Sequence, residues 1–355
     1  MRWGKTMLLE LYDFGLEPRR LHLIAGALLG LIFGVAAQIT RFCLRRAVAG
    51  PSDERAAAGA VWLTALAAAV VGFAFAATFG FVDLSGHRFL SSDLPLAALV
   101  FGGLAFGAGM VLTRGCVSRL TVLSGTGNLR AIFVLSVFAI TAHATLKGVL
   151  APLRTTLGGF TVDTPIASLA AAPIGLAVLL LVVIGLATTL VIRAKPSVLH
   201  LTFAALIGFV AVGGWAATSV LLLDEFDPLP VQSAAFTLPW SDTLFWTIAS
   251  SAIPAGFGVG FVGGVLGGSF LSAAARGELK LHSFESPRQT LRYGAGGALM
   301  GVGGVLAGGC TVGAGLSGIA SGSVAAIIAL SAIALGGWAT GVALSGTNRA
   351  AALAA

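Results

Sequence analysis

Acidic side chains are missing from most of this chain. Its 355 residues include 14 Asp and Glu, and only 10% of all residues are charged, against about 25% in soluble domains. No acid occurs in five long stretches: 56–82, 94–162, 164–223, 243–277 and 286–355. Because a membrane-spanning helix needs about 20 mostly apolar residues, these stretches hold several such lengths. The sequence therefore excludes a soluble protein and predicts an integral membrane protein.

Cysteine is scarce as well. The three cysteines form no CxxC motif, which argues against a disulfide framework. They are dispersed and have no histidine nearby, so neither a metal site nor a cofactor is predicted. The net charge of +7 does not indicate a nucleic-acid partner, because the basic residues cluster in short segments between apolar runs, as in the cytoplasmic loops of membrane proteins. Residues 1–20 are expected to form an interfacial segment.

Glycine, in contrast, is abundant, and its placement is repeated. The chain has 49 glycines, so one or two coincidences would mean little. Six positions, however, recur 194 residues later: Gly102, Gly103, Gly107, Gly109, Gly115 and Cys116 return as Gly296, Gly297, Gly301, Gly303, Gly309 and Cys310. Five glycines and a cysteine at one offset indicate an internal duplication.

A second glycine pattern opens each half. Gly26, Gly30 and Gly34 have the small-xxx-small spacing that lets helix backbones approach closely in lipid. Gly256, Gly260 and Gly264 match them at an offset of 230, within a predicted segment at about 244–272. This register places Ala273 where Cys43 stands in the first half.

These patterns predict an all-α, polytopic membrane protein. We expect about nine transmembrane helices in two pseudo-symmetric repeats, with Gly-Cys helix breaks lining a central pathway. The first repeat covers residues 21–150. Residues 151–240 form a linker, two inserted helices and an acidic outside loop, and residues 241–355 form the second repeat. Asn128 is expected to cap the helix that contains His143, a residue with either a functional or a structural role.

The glycine-cysteine breaks are the candidate site. Interrupted helices leave backbone N–H groups free, and such groups bind anions. Duplicated broken helices are how many transporters build a substrate site; the alternative is tight packing with cysteine as a small apolar filler. Because thiols are soft and polarizable, they suit a ligand with an exposed sulfur atom, and we expect neutral S–H donors.

Four strings carry a resemblance to a known family: RFCL (41–44), GGLAFGAGMVLTRGC (102–116), GGSFLSAAARGELKL (267–281) and GALMGVGGVLAGGCTVGAGL (297–316). They resemble the YeeE/YedE family of bacterial thiosulfate transporters. The resemblance implies a multi-pass protein of the bacterial inner membrane in which Cys43, Cys116 and Cys310 pass thiosulfate along by S–H···S contacts. It also implies a cytosolic sulfur-carrier protein of the TusA type as a partner.

The predicted substrate-binding set adds Gly115 and Gly309, which stand in the breaks, and two arginines. Arg114 replaces the first glycine of the family's usual Gly-Gly-Cys turn. Its guanidinium could hold a dianion or shift the preference to another anion, or it could simply extend to the membrane interface. Arg41 could draw anions to Cys43 or serve to orient the chain.

The predicted function is uptake of thiosulfate, or a closely related sulfur-bearing anion, by facilitated passage and not by an enzyme. Two alternatives stay open. The cargo could be sulfite, sulfide or a selenium compound. The protein could also be a membrane thiol oxidoreductase or sulfurtransferase that uses Cys116 and Cys310 as a redox pair.

Overall fold

A computed structural model of the chain describes residues 17–224 and 228–353; the predicted interfacial segment therefore lies almost entirely outside the described residues. The helices are α1 Pro18–Thr40, α2 Leu44–Ala49, α3 Ser52–Thr78, α4 Leu96–Leu112, α5 Val117–Gly125, α6 Leu129–Lys147, α7 Ala151–Gly158, α8 Pro173–Ala194, α9 Val198–Ala216, α10 Thr237–Ile248, α11 Phe257–Ala275, α12 Pro287–Leu306 and α13 Val324–Leu353. Two π-helical turns, Ala217–Leu221 and Gly313–Gly318, two short 3-10 helices, Arg88–Leu90 and Leu169–Ala171, and one pair of two-residue strands, β1 Asp93–Leu94 and β2 Val162–Asp163, complete the regular structure of the described residues.

The helices confirm the predicted all-α, polytopic membrane class. Eight helical stretches within the described residues are long and apolar enough to cross a bilayer. The long helix α12 is not among them because it opens with the polar sequence PRQTLRY. Large apolar side chains face outward, including Phe75 at 61% and Phe101 at 60% exposure. Such an apolar surface is stable only where lipid covers it.

Two predicted boundaries differ in the structure. The segment expected at 244–272 consists of two helices, α10 and α11, because Pro254 and Gly256 stand between them. The expected linker after residue 150 contains the short helix α7, whose second residue is Pro152. Proline is favoured in the first turn of a helix, where its missing N–H is not needed.

The glycine duplication corresponds to a mirrored pair of helices. Gly102 of α4 packs against the backbone of Gly303 and Ala307, and Gly109 packs against Gly296. Residue numbers rise along α4 as they fall along α12, so the two helices are antiparallel. The equivalent glycines on the outer sides of α4 and α12 also make equivalent contacts with neighbouring helices. Gly107 faces the carbonyl of Ile333 on α13, and its equivalent Gly301 faces the carbonyl of Phe138 on α6.

The offset between equivalent residues of the two repeats increases from 194 to 195 after the cysteines, and the structure locates the inserted residue. Asn128 precedes α6 and accepts a hydrogen bond from the Ala131 N–H at 3.2 Å, which confirms the predicted cap. Ser323 precedes α13 and accepts from the Ala326 N–H at 3.3 Å. Both pairs of equivalents are 195 residues apart. The extra residue falls in the π-helical turn Gly313–Gly318, since a π turn is an α-helix with one residue inserted.

The other glycine pattern obeys a different register from the one predicted. Gly26 meets the Phe257 carbonyl and Gly260 meets the Leu23 carbonyl, which are reciprocal contacts at an offset of 234. Gly268 is thereby the equivalent of Gly34, and both lie at the α1–α11 contact. Gly256 only precedes α11, and a Cβ atom added to it would meet nothing within 4 Å. The predicted offset of 230 is therefore wrong by one helical turn.

The placement of Ala273 at the position of Cys43 is wrong for the same reason. Ala273 is a fully buried residue inside α11, whereas Cys43 lies between two helices. In addition, α1 and α11 run parallel, because residue numbers rise together along their contact. The division into repeats at 21–150 and 241–355 stays a prediction.

The charged side chains separate the bundle into two ends. We call the end that carries Arg41, Arg45, Arg114, Arg119 and Arg276 the basic end. The opposite end is formed by the connections 79–95, 159–172 and 228–256. There β1 pairs with β2, and Ser168 forms a bridge with Ser323.

Candidate functional site

A left-handed residue stands two positions before each cysteine. The φ angles are 51° at Arg41, 59° at Arg114 and 71° at Gly308. This conformation ends the preceding helix and turns the chain sharply. Arginine rarely adopts it, because the Cβ atom crowds the following carbonyl at a cost of about 1 kcal/mol or more. The two arginines therefore occupy strained positions that glycine fills in the third turn.

Each cysteine then begins a new helical segment. Cys43 precedes α2, Cys116 precedes α5, and Cys310 precedes the segment that contains the second π turn. The Cys310 sulfur accepts a hydrogen bond from the Gly313 N–H at 3.4 Å. Helix N-termini carry unpaired N–H groups and a partial positive charge. The thiols are thus placed beside backbone donors that favour an anion.

The structure brings two of the predicted thiols together. Cys43 Sγ lies 3.7 Å from Cys116 Sγ, and the latter lies 3.2 Å from the Ser118 hydroxyl. All three cysteines are free thiols and are buried. Cys310 belongs to the mirrored segment at the opposite end, so Cys116 and Cys310 are equivalent in sequence without being paired in space.

A cavity of about 420 Å³ opens at the opposite end, and Gly309 and Gly313 on either side of Cys310 belong to its lining. Arg88, His87 and Trp215 line it together with the glycine-rich turn at Gly308 and Gly309. The Arg88 guanidinium donates to the Gly308 carbonyl at 2.8 Å, which ties the cation to the turn that leads into Cys310. A larger open depression of about 720 Å³ beside α12 is distant from this turn in the chain and includes none of the cysteines.

The charge in this cavity resides on Arg88. Its side chain is exposed to the cavity, yet the surrounding protein lowers its pKa by desolvation; an arginine nevertheless stays protonated. Burial, with a smaller contribution from the Arg88 charge, lowers the pKa of His87 to about 4. His87 Nδ1 accepts a hydrogen bond from the Phe89 N–H at 3.2 Å, as a neutral imidazole can. One cation and one neutral ring therefore line the cavity.

A second set of donors surrounds the thiol pair at the basic end. Arg45 reaches the Arg114 carbonyl at 3.5 Å, and its Nε is buried without a hydrogen-bond partner among the described residues. Arg119 donates to the Gln38 side chain at 3.4 Å, and Gln38 in turn donates to Glu278 at 2.9 Å. Arg276 pairs with the same carboxylate at 2.9 Å and holds the pKa of Glu278 below its usual value.

The remaining predicted residues have different environments. Arg41 and Arg114 are exposed at the basic end. A Cβ atom at Gly309 would lie 2.7 Å from the Ala314 nitrogen, so a side chain does not fit there, whereas at Gly115 it would make only ordinary contacts with Leu120. His143 contacts the Ser241 hydroxyl at 3.0 Å and stacks on Phe245, which favours its structural interpretation.

Sequence reasoning did not single out Arg88, Arg119 or Gln38. Arg88 stands in a connection with no basic excess, and its importance depends on the distant Gly308 carbonyl. Arg119 does carry a signal, because it follows Cys116 by three residues, where the second repeat has Gly313.

Comparison with known proteins gives three matches. The family model described as sulphur transport matches residues 39–339, a range that includes all three cysteines. Thiosulfate transporter TsuA of Spirochaeta thermophila is 28% identical over 343 residues, which cover 83% of this chain and 90% of that protein. Thiosulfate transporter TsuA of Escherichia coli is 26% identical over 316 residues, which cover 83% of this chain and 86% of that protein.

Proposed function

Because the chain belongs to the sulphur transport family, we propose that it is a membrane transporter that takes up thiosulfate through a pathway containing Cys43, Cys116 and Cys310. Both relatives described above are named thiosulfate transporters. We further propose that it acts in the bacterial inner membrane and moves its substrate unchanged, without catalysis. The redox alternative that pairs Cys116 with Cys310 is not favoured, because Cys116 contacts Cys43 instead.

One observation carries the proposal: the two mirrored turns place a thiol at each side of the bundle, each beside cationic groups. Gly309 and Gly313, which flank Cys310 in the chain, line the cavity that holds Arg88, and Arg45 reaches the carbonyl of Arg114 in the turn that leads to the Cys43–Cys116 pair. A dianion crossing about 30 Å of hydrocarbon needs replacements for its hydration shell. Backbone N–H groups and guanidinium groups can donate hydrogen bonds to its oxygen atoms, while soft thiols suit its terminal sulfur.

The charge distribution indicates how the protein is oriented in the membrane. Basic residues near the ends of spanning helices mark the cytoplasmic side, so the basic end faces the cytoplasm and the cavity of Arg88 faces outward. Thiosulfate would then meet Cys310 first and the thiol pair last. The TusA-like carrier expected from the family would receive the anion at the basic end, where Arg41 and Arg114 are exposed.

Uptake of labelled thiosulfate into proteoliposomes tests the proposal. Replacing any one of the three cysteines by serine should lower uptake about five- to tenfold, which corresponds to the loss of about 1 kcal/mol of hydrogen bonding to the substrate. Unlabelled sulfite, sulfide, sulfate and selenium compounds serve as competitors. Stronger competition by one of these than by thiosulfate itself would reassign the cargo. Unchanged uptake in all three serine variants would remove the thiols from the pathway.

A further inference from the structure

Two thiols are in contact at the inner end of the proposed pathway. Cys43 and Cys116 are separated by 3.7 Å between sulfur atoms and are 4% and 1% exposed. Disulfide sulfurs lie about 2.05 Å apart, so a movement of about 1.6 Å would join them. They come from distant parts of the chain and meet only through the fold.

Both thiols also lie in connections between helices. Cys43 ends the three-residue connection between α1 and α2, and Cys116 ends the connection between α4 and α5. Neither residue lies inside a helix, and only their carbonyl groups take part in the first helical hydrogen bonds, with the Arg46 and Leu120 N–H groups. Cys310 provides the contrast, since its sulfur is engaged with the Gly313 N–H in a separate turn.

We propose that Cys43 and Cys116 form a reversible disulfide that closes the inner end of the pathway when the protein meets a peroxide. In the first step a peroxide oxygen bonds to one sulfur, the O–O bond breaks, and the thiol becomes a sulfenic acid with release of water. The second thiol attacks that sulfur, the S–S bond forms, and a second water molecule leaves. Two thiols are oxidised and one peroxide molecule is reduced to two water molecules.

The disulfide would stop transport because it removes both S–H donors and joins the two connections across the path. Reversal requires a dithiol reductant of the cytosol, which exchanges with the disulfide and restores two S–H groups. Disulfides that face the cytosol are usually transient for this reason. The closing effect depends on the proposed transport function, whereas formation of the disulfide does not.

The first experiment measures the thiols alone. Purified full-length protein is treated with hydrogen peroxide, denatured, alkylated and digested, with glutathione oxidised in parallel as a dose reference. We expect a peptide pair linked through Cys43 and Cys116, an alkylated Cys310, and return of all three thiols after reduction. The C310S variant should form the same link, and C43S should not. The proposal is overturned if Cys43 and Cys116 stay alkylatable at doses that oxidise glutathione, or if Cys310 takes part in the link.

The second experiment adds transport. Reduced protein in proteoliposomes should take up thiosulfate, peroxide-treated protein should take up no more than vesicles without protein, and a reductant should restore uptake. Undiminished uptake by protein whose link has been demonstrated by peptide mapping would refute the closing role. If the reduced protein shows no uptake, although peroxide still forms the link, the transport function is refuted and the dithiol site is retained.

Discussion

At the residue scale, the turn before a cysteine requires a left-handed backbone conformation, and in two of the three turns it also carries a positively charged side chain. Arg114 and Gly308 are equivalent by the repeat and share the left-handed conformation, with φ angles of 59° and 71°. Glycine meets the backbone demand without strain. An arginine there implies a use for its charge that outweighs a cost of about 1 kcal/mol.

Arg114→Gly relieves the backbone strain and removes the charge, and the two effects are measured separately, as stability and as uptake. The variant should unfold at an equal or higher temperature, with up to about 1 kcal/mol of added stability. It should take up thiosulfate more slowly, because the proposed exit at the basic end loses a cation that attracts the anion. Gly308→Ala is the matched control: its Cβ meets no atom within 4 Å, so only backbone strain lowers its stability, again by about 1 kcal/mol. Lower stability of Arg114→Gly would contradict the assignment of strain.

His87 predicts a dependence of stability on pH. Its folded pKa of about 4 lies below the ordinary value of about 6.5, so the unfolded chain binds the proton more readily. The contribution of His87 is therefore complete above pH 6.5 and is lost as the pH falls toward 4, by about 3 kcal/mol at most.

Thermal unfolding of the wild type and of His87→Gln between pH 7 and pH 4.5 measures this effect. The variant should lose less stability over the range, and His282→Gln, at an exposed position of the basic end, should follow the wild type. The Asp93–Asp163 pair, which raises the pKa of Asp93, acts equally in all three proteins. Equal slopes for His87→Gln and the wild type would refute the prediction.

At the element scale, glycine spacing determines how closely α1 and α11 approach. A Cβ atom at Gly260 would lie 2.1 Å from the Leu23 carbonyl oxygen, and one at Gly263 on the same helix would meet nothing within 4 Å. Gly260→Ala should therefore destabilise the protein by about 2 kcal/mol or more, because two backbones must separate. Gly263→Ala should be neutral or stabilising, since alanine favours helix. Equal unfolding temperatures for the two variants would contradict this packing.

The same glycines explain what sequence could predict and what it could not. The 194-residue repeat can be recognised in the sequence because five irregularly spaced glycines and a cysteine define its register. The pattern of Gly26, Gly30 and Gly34 has a period of four, so it matches itself after sliding by one helical turn. Only the contacts of Gly260 with Leu23 and of Gly34 with Val265 identify the correct register. The inserted residue near Gly313 likewise becomes visible as a π turn only in three dimensions.

At the scale of the whole molecule, helix direction decides which thiols meet. Sequence reasoning predicted the membrane class and placed all three cysteines in the site. Its redox alternative paired Cys116 with Cys310, which are equivalent in the repeat. Because α4 and α12 are antiparallel, their equivalent turns lie at opposite ends, and Cys116 meets Cys43 from a different connection. A sequence repeat alone does not tell whether the two equivalent helices run parallel or antiparallel in the bundle.

The scarcity of acidic residues in the spans bears on the electrical consequence of transport. Within the spans that the structure describes, acids occur only at the start of α3, where Asp53 and Glu54 lie at the basic end and Glu54 pairs with Arg46. A buried carboxylate that could carry a proton with the anion is therefore missing from these spans. In the proposed passive mechanism, thiosulfate crosses with its two negative charges uncompensated, at about 4.6 kcal/mol per 100 mV of opposing potential.

Uptake should consequently respond steeply to membrane potential. In proteoliposomes with a potassium gradient and a potassium ionophore, an inside-positive potential should accelerate thiosulfate uptake and an inside-negative potential should suppress it. A pH gradient imposed at zero potential should have little effect. Vesicles without protein, measured under each potential, correct for leakage. Uptake that ignores the potential but requires a proton gradient would mean that protons neutralise the charge in transit, and the passive mechanism would then have to be abandoned.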